Sequence, residues 1–256
     1  MDQVYGLHAV AALLASDPGR VRVVHVQRGR QDRRVSELVD AARAAGIRVD
    51  IADRAWLDRR AGGSHQGVLA ECHAMAPLDE KAFEARWQEL AGPRLLLVLD
   101  GITDPRNLGA CLRSANAAGV QAVLLPRRRS APLSDVALKT AAGGAEGLLL
   151  VSVANLARRL EWLKDQGVWL VGADGSASRA YSDVDLTRDC AIVLGGEAEG
   201  MRALTAKLCD DLVAIPMQGT VSSLNVSVAA GILLFEALRQ RRTQAPARLA
   251  SAPPPP

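Results

Sequence analysis

At 256 residues the chain is long enough to bury a full core, in one or two domains. Hydrophobic residues make up 49% and charged residues 23%, ordinary values for a soluble globular protein, and no apolar run is long enough to span a membrane. The net charge of +3 is mild, and an aromatic content of 3% excludes a base-stacking platform built from many aromatic rings.

Nearly all the basic residues are Arg, the better bidentate partner for phosphate. Genome base composition can produce the same bias. Cys72, Cys111, Cys190 and Cys209 are far apart and form no C-x-x-C pair, which suggests neither a zinc site nor a disulfide framework. A reduced, cytoplasmic protein fits. The start, Met1 to Gly6, lacks the basic region and apolar stretch of a signal peptide.

In chain order, residues 4–15 read as a helix with a stripe of Val4, Leu7, Val10 and Leu14. A β-rich run follows at 21–26, a helix at 35–45 closed by Gly46, and an alternating strand at 47–51. A short helix at 55–60 and a strand at 68–72 complete an α-β-α-β-α-β unit spanning about 1–76. Residues 77–93 read as a linker with one short amphipathic helix. From 94 to 242 the strands are continuous apolar runs, at 95–99, 122–125, 148–151, 168–171, 191–194 and 212–215. Runs without alternation are buried on both faces, so a mainly parallel sheet covered by helices is expected. The last helix covers about 225–241, and the Pro-rich tail 243–256 reads as disordered.

Three segments could carry chemistry. The first starts at Asp100, where a buried strand ends, and leads into a helix carrying Arg106, Asn107, Arg113 and Asn116. Sites in α/β proteins lie at such strand ends. Arg106 and Arg113 are seven apart and share a helix face, which suits a nucleic-acid phosphate but equally suits a solvated surface with Asn107 as a cap. The second is Leu194-Gly195-Gly196-Glu197-Ala198-Glu199-Gly200-Met201, where glycines would admit a ligand to the backbone or simply close a turn. The third runs from Ile215 through Ser222, Ser223, Leu224 and Asn225 into the last helix; its small polar residues serve a ligand or merely cap the helix.

Other segments are less specific. The Gly143-Gly144-Ala145-Glu146 loop after Lys139 could line the same cavity. His65 and Gln66 read as part of an exposed loop and are candidate RNA contacts, although a structural or solvent-facing histidine is the commoner case. The run Arg127-Arg128-Arg129 reads as a solvated loop or a phosphate site.

Taken in order, residues 107–113, 194–201 and 215–228 resemble the three signature motifs of the SpoU (TrmH-like) RNA 2′-O-ribose methyltransferases of the SPOUT superfamily. The first unit, with Tyr5-Gly6-Leu7-His8 and His65-Gln66-Gly67, resembles the L30e-like RNA-binding domain of the same family. The likeness covers roughly residues 4–242 and is nearest to members that methylate a 23S rRNA guanosine in the P-loop region. It implies an α/β fold with a deep trefoil knot in residues 94–242, an RNA substrate unit in 1–76, and a homodimer acting on 23S rRNA or an assembling large subunit. It implies S-adenosylmethionine as cofactor, held by Gly195, Gly196, Ile215, Ser223 and Leu224, and no metal. The family's catalytic positions fall on Asn107, Arg113, Glu197, Ser223 and Asn225, with Arg106, Arg113, His65 and Gln66 toward RNA. Arg is effectively always protonated, so Arg113 is expected to clamp phosphate and orient the hydroxyl rather than act as a base. A tRNA 2′-O-methyltransferase, or a catalytically silent RNA-binding assembly factor on the same scaffold, are the alternatives.

Overall fold

The computed structural model describes residues 2–30, 32–61, 63–73, 75–197 and 199–244. The expected disorder of the tail therefore concerns residues that, from 245 on, lie outside the described set.

The first sheet has four strands in the order β1-β4-β2-β3, from β1 (Asp2–Tyr5), β2 (Val21–Gln27), β3 (Arg48–Ala52) and β4 (Val68–Cys72). Helices α1 (Leu7–Ser16) and α2 (Arg33–Ala44) cover one face, burying Val10, Leu13 and Leu38 against Val24, Val68 and Ala70. Leu69, between Val68 and Ala70, points to the other face and meets Leu57 of α3 (Arg54–Arg60). This is the two-residue alternation of a strand covered on both sides.

The chain opens on a strand, not the helix expected from residue 4. β1 pairs antiparallel with β4, placing Val4 opposite Ala70. Gly6, at φ 95, then turns the chain into α1. A four-residue edge strand draws its stability from the neighbour it pairs with, so local periodicity does not reveal it.

The segment 77–93 packs firmly against the second sheet. Leu78 bridges to Val151, and α4 (Glu80–Arg86) with the turn after it buries Phe83 and Trp87 completely or nearly so.

The second sheet has seven strands in the order β7-β6-β5-β10-β8-β11-β9, every neighbouring pair parallel. They are β5 (Leu95–Asp100), β6 (Ala122–Pro126), β7 (Leu149–Val153), β8 (Trp169–Ala173), the two-residue β9 (Arg179–Ala180), β10 (Cys190–Gly195) and β11 (Asp211–Ala214). The apolar runs divide between two cores. Leu95, Leu97 and Leu99 face α5 (Pro105–Ala117), α6 (Asp135–Ala141) and α9 (Val226–Gln244), whereas Leu96 and Val98 face α4 and α7 (Leu156–Asp165). Burial on both faces is why these strands carry no polar alternation. The short α8 (Ala203–Leu208) follows β10.

Two sets of polar contacts tie the architecture together, the first of them buried. Arg20, at the end of α1's connection to β2, makes a two-pronged bond to Glu146 in the second unit, at 2.8 and 3.2 Å, and its Nε donates to His73 O. Asn116 Nδ2 donates to Glu146 O at 2.8 Å, tying α5 to the same point. Burial pushes the Glu146 carboxyl pKa up, against the pull of the Arg20 guanidinium. At the other end of the molecule Arg241, late in α9, donates to the carbonyls of Leu186, Pro93, Arg94 and Arg188. One planar guanidinium thereby seats α9 across the beginnings of β5 and β10.

Candidate active site

β5 and β10 are neighbours in register, with Gly195 opposite Asp100, so the first two motifs leave the sheet side by side. The chain runs from β5 outward to β6 and β7, then returns to fill the other half of the sheet. The crevice at the carboxyl ends of β5 and β10 is therefore the point where strand order reverses, the usual ligand position in open α/β sheets.

Asp104 caps α5, its side chain accepting from Arg106 N at 2.8 Å, and Pro105 starts the helix. Asn107 is thus not the cap, and its side chain turns to other partners. Its Nδ2 donates to Glu197 Oε1 at 2.7 Å, and its Oδ1 accepts from Asn225 Nδ2 at 3.0 Å. Asn225 in turn caps α9, accepting from Ser227 N at 2.9 Å and from Ser227 Oγ at 2.6 Å. The capping role and the site role fall on the same side chain. One residue from each motif is joined in a single chain of hydrogen bonds.

The glycines of the second motif serve the protein's own backbone. A Cβ on Gly195 would stand 2.0 Å from Gly200 C, and one on Gly196 would stand 2.4 Å from Gly101 O. The chain crosses itself there at a distance only glycine allows. Asp100, 2% exposed, holds this crossing closed. Its carboxylate accepts from Arg202 N at 3.1 Å and Arg202 Nε at 2.7 Å, and also from Arg202 Nη2, while its carbonyl accepts from Gly196 N. The segments after β5 and β10 are thereby locked together where the resemblance expects the knot. Asp100 and Arg202 were not among the expected site residues. The available signal was a carboxylate closing an otherwise unbroken apolar strand.

The third motif forms an irregular stretch from Ile215, half-buried on the core, to Asn225. Residues 218–225 are exposed, including the apolar Val221 and Leu224. Among the described residues, no backbone N–H from Met217 to Leu224, Ser223 included, donates a hydrogen bond within the chain. Free donors beside exposed apolar side chains suit a ligand with both polar and apolar parts.

Arg113 and Arg106 are exposed on α5 and, among the described residues, have no acidic partner. The backbone of Arg113 is packed against Gly144, where a Cβ would stand 2.7 Å from Arg113 Cα. The 143–146 loop therefore supports α5 from behind. Its open side lines a different cavity of about 470 Å³ between the two units, with Tyr5, Gln66 and Lys139. Cys111, one turn after Asn107, is buried, and its thiol is pushed up to about 12 by burial and then by Glu197.

His65 departs from expectation. It is 7% exposed, not on an open loop, and both ring nitrogens are engaged: Nδ1 accepts from Gly67 N at 2.9 Å and Nε2 lies 2.9 Å from Asp58 Oδ1. Through these two contacts it braces the turn. Its neighbour Gln66 is exposed in a left-handed conformation at φ 46, with Oε1 accepting from Leu7 N at 3.1 Å. Among the described residues no cluster of His, Cys, Asp and Glu could hold a metal ion, and no helix is long and apolar enough to cross a membrane.

Residues 3–78 match the family described as RNA 2′-O ribose methyltransferase substrate binding, and residues 94–235 match the SpoU rRNA Methylase family. The chain is 49% identical over 94% of its length to the 23S rRNA (guanosine-2′-O-)-methyltransferase RlmB of Yersinia pestis, covering 98% of that protein. It is 46% identical over 94% of its length to the protein of the same name from Escherichia coli K12, covering 99% of it. In structure it resembles the SpoU methyltransferase AviRb of Streptomyces viridochromogenes, solved with AdoMet, at a TM-score of 0.72 and 25% identity over 94% of this chain and 90% of that one. With both family matches in chain order and its three motifs joined through Asn107, the chain belongs to the SpoU rRNA methylase family.

Proposed function

We propose that this protein transfers the methyl group of S-adenosylmethionine to a ribose 2′-oxygen of RNA, at a guanosine of 23S rRNA in the P-loop region. The observation that carries this reading is the Glu197–Asn107–Asn225 hydrogen-bond chain beside the free N–H groups of residues 217–224. A pure RNA binder has no need of such a set.

The residues present fit the cofactor. Gly195 and Gly196 hold the crossing, Ile215 and Leu224 offer apolar surface, and the backbone around Ser223 offers donors. When bound, S-adenosylmethionine supplies a methyl group already activated on a sulfonium. The residues' task would then be positioning: they would hold the ribose hydroxyl so that its oxygen could displace the methyl group from sulfur, with the hydroxyl proton passing to solvent water. Arg113 clamps phosphate and orients the hydroxyl. Asn107 and Asn225 set the geometry, Glu197 fixes Asn107, and Ser223 shapes the loop. Arg106 and Gln66 face RNA.

In this reading residues 1–76 hold the rRNA and residues 94–242 carry out the transfer, in the cytoplasm. The protein works as a homodimer. Leu224, Val228 and Phe235 are 36%, 49% and 48% exposed along one side of α9 and its approach, an apolar strip suited to a second copy.

Transfer of labelled methyl to 23S rRNA from a strain lacking this gene, with the modified nucleotide mapped, tests the proposal. No transfer to that rRNA would favour the silent assembly factor, and transfer to tRNA alone would favour the tRNA enzyme.

A further inference from the structure

The Arg127-Arg128-Arg129 run is absorbed by nothing above. β6 delivers it at the same sheet edge as Asp100, since β6 runs parallel to β5. The loop is tied on both sides: Arg127 N donates to Val153 O, and Ala131 N donates to Ile102 O, each at 2.7 Å. Arg129 O lies 3.8 Å from where a Cβ of Gly101 would stand, and Gly101 O in turn meets Gly196. The arginine loop, the loop after β5 and the glycine crossing are therefore stacked on one another.

Two features bear on what this loop can do. Arg129 adopts φ 61, a left-handed conformation that costs an L side chain energy and persists where the surroundings impose it. All three arginines are exposed with no acidic partner among the described residues, and no undescribed residue is Asp or Glu. Some exposed arginines are paired, as Arg28 is with Asp53 and Arg33 with Glu37, and others, such as Arg34 and Arg158, have no acidic partner among the described residues, so what distinguishes this loop is a run of three beside the site. Arg106 and Arg113, on the helix that begins beside this loop, are likewise unpaired among the described residues.

We propose that the 127–129 loop binds backbone phosphates of the RNA strand next to the nucleotide being methylated, holding that strand against the site. The inference rests on the RNA methyltransferase reading. Phosphate contacts of this kind fix register and orientation without reading sequence. They act equally on bound substrate and transition state, so they lower the RNA KM and leave kcat nearly unchanged.

The test compares wild type with R127Q/R128Q/R129N, the Asn chosen because it tolerates the left-handed conformation. The probe is an in vitro transcribed 23S rRNA fragment. Without the three charges, RNA KM should rise about tenfold or more, and the slope of log affinity against log salt should shrink by about two to three. At saturating RNA, kcat should stay within about twofold, with S-adenosylmethionine affinity and Tm unchanged. The R127K/R128K/R129K variant keeps the charges and should keep the salt slope. A wild-type KM and slope in the uncharged variant would overturn the proposal. So would a loss confined to Tm or cofactor affinity, which would mark the loop as a strut. A wild-type protein that methylates no RNA would instead defeat the underlying reading, while the binding slopes would still decide the role of the loop.

Discussion

Asn107 and Glu197, ninety residues apart, meet at 2.7 Å, and the other end of the same amide receives Asn225. The amide is polarised in one direction, accepting from one partner and donating to the other. Asn107→Asp would replace the donor by a carboxylate facing Glu197, and like charges would push the two loops apart. The methyl-transfer rate is expected to fall about 100-fold, the effect of displacing a positioned group by about 1 Å. RNA affinity should stay near wild type. Single-turnover transfer alongside RNA binding measures both.

Arg113→Lys keeps the charge and loses the planar fork. If Arg113 clamps a phosphate and orients the hydroxyl, losing one charge-assisted bond of about 1.5–3 kcal/mol should slow transfer about 10- to 100-fold. Cofactor affinity should not change. Near-normal turnover of the lysine variant would refute the clamp.

Gly196→Ala separates a glycine kept for the backbone from one kept for a ligand. Its Cβ would stand 2.4 Å from Gly101 O, so the protein alone should lose about 1–3 kcal/mol, as overpacked sites do. Calorimetry without cofactor reads this loss. An unchanged Tm with weakened cofactor binding would show that the close approach is to the ligand only.

The Arg20–Glu146 bond is buried between the units, and removing one partner strands the other charge. Arg20→Met or Glu146→Leu alone should cost about 3–5 kcal/mol, while the double substitution should recover much of it. Urea unfolding of the four proteins gives the coupling energy. A double variant no better than the worse single would show that the two side chains act independently.

His25 is pushed below its ordinary 6.5 by burial, with the Glu71 carboxylate opposing. As pH falls through about 6.5 the unfolded chain takes the proton first, so the stability present above that pH is progressively lost below it. His25→Phe should flatten this dependence in thermal melts between pH 5 and 8 (a range of about one to two units either side of the ordinary value). A wild-type slope in the variant would assign the effect to another group.

The strands of the second sheet could be read from the sequence because burial on both faces leaves an unbroken apolar run. Leu95 to Leu99 is such a run, and β5 lies on it. β1 could not, since four residues at an edge carry no period of their own. The motifs showed which segments would meet, but not how. That Asp100 would hold Arg202, 102 residues on, is a pairing no local spacing encodes. For His65 the structural role was legible and the exposure was not: a Ser-His-Gln-Gly turn has the composition of an open loop, and only Asp58 and Gly67 N show that the ring is buried and spoken for.

Arg241 stands sixteen residues beyond Asn225, at the far end of the same helix. At 1.5 Å per residue that is about 24 Å. α9 therefore behaves as a beam, clamped by a guanidinium at one end and presenting a site amide at the other. The helix that presents the Asn107–Asn225 bond is thus also anchored on the opposite side of the domain. Between the two ends, Ala230, Leu233, Leu234 and Ala237 lie buried in the core, so the helix carries the fixed position of one end to the other.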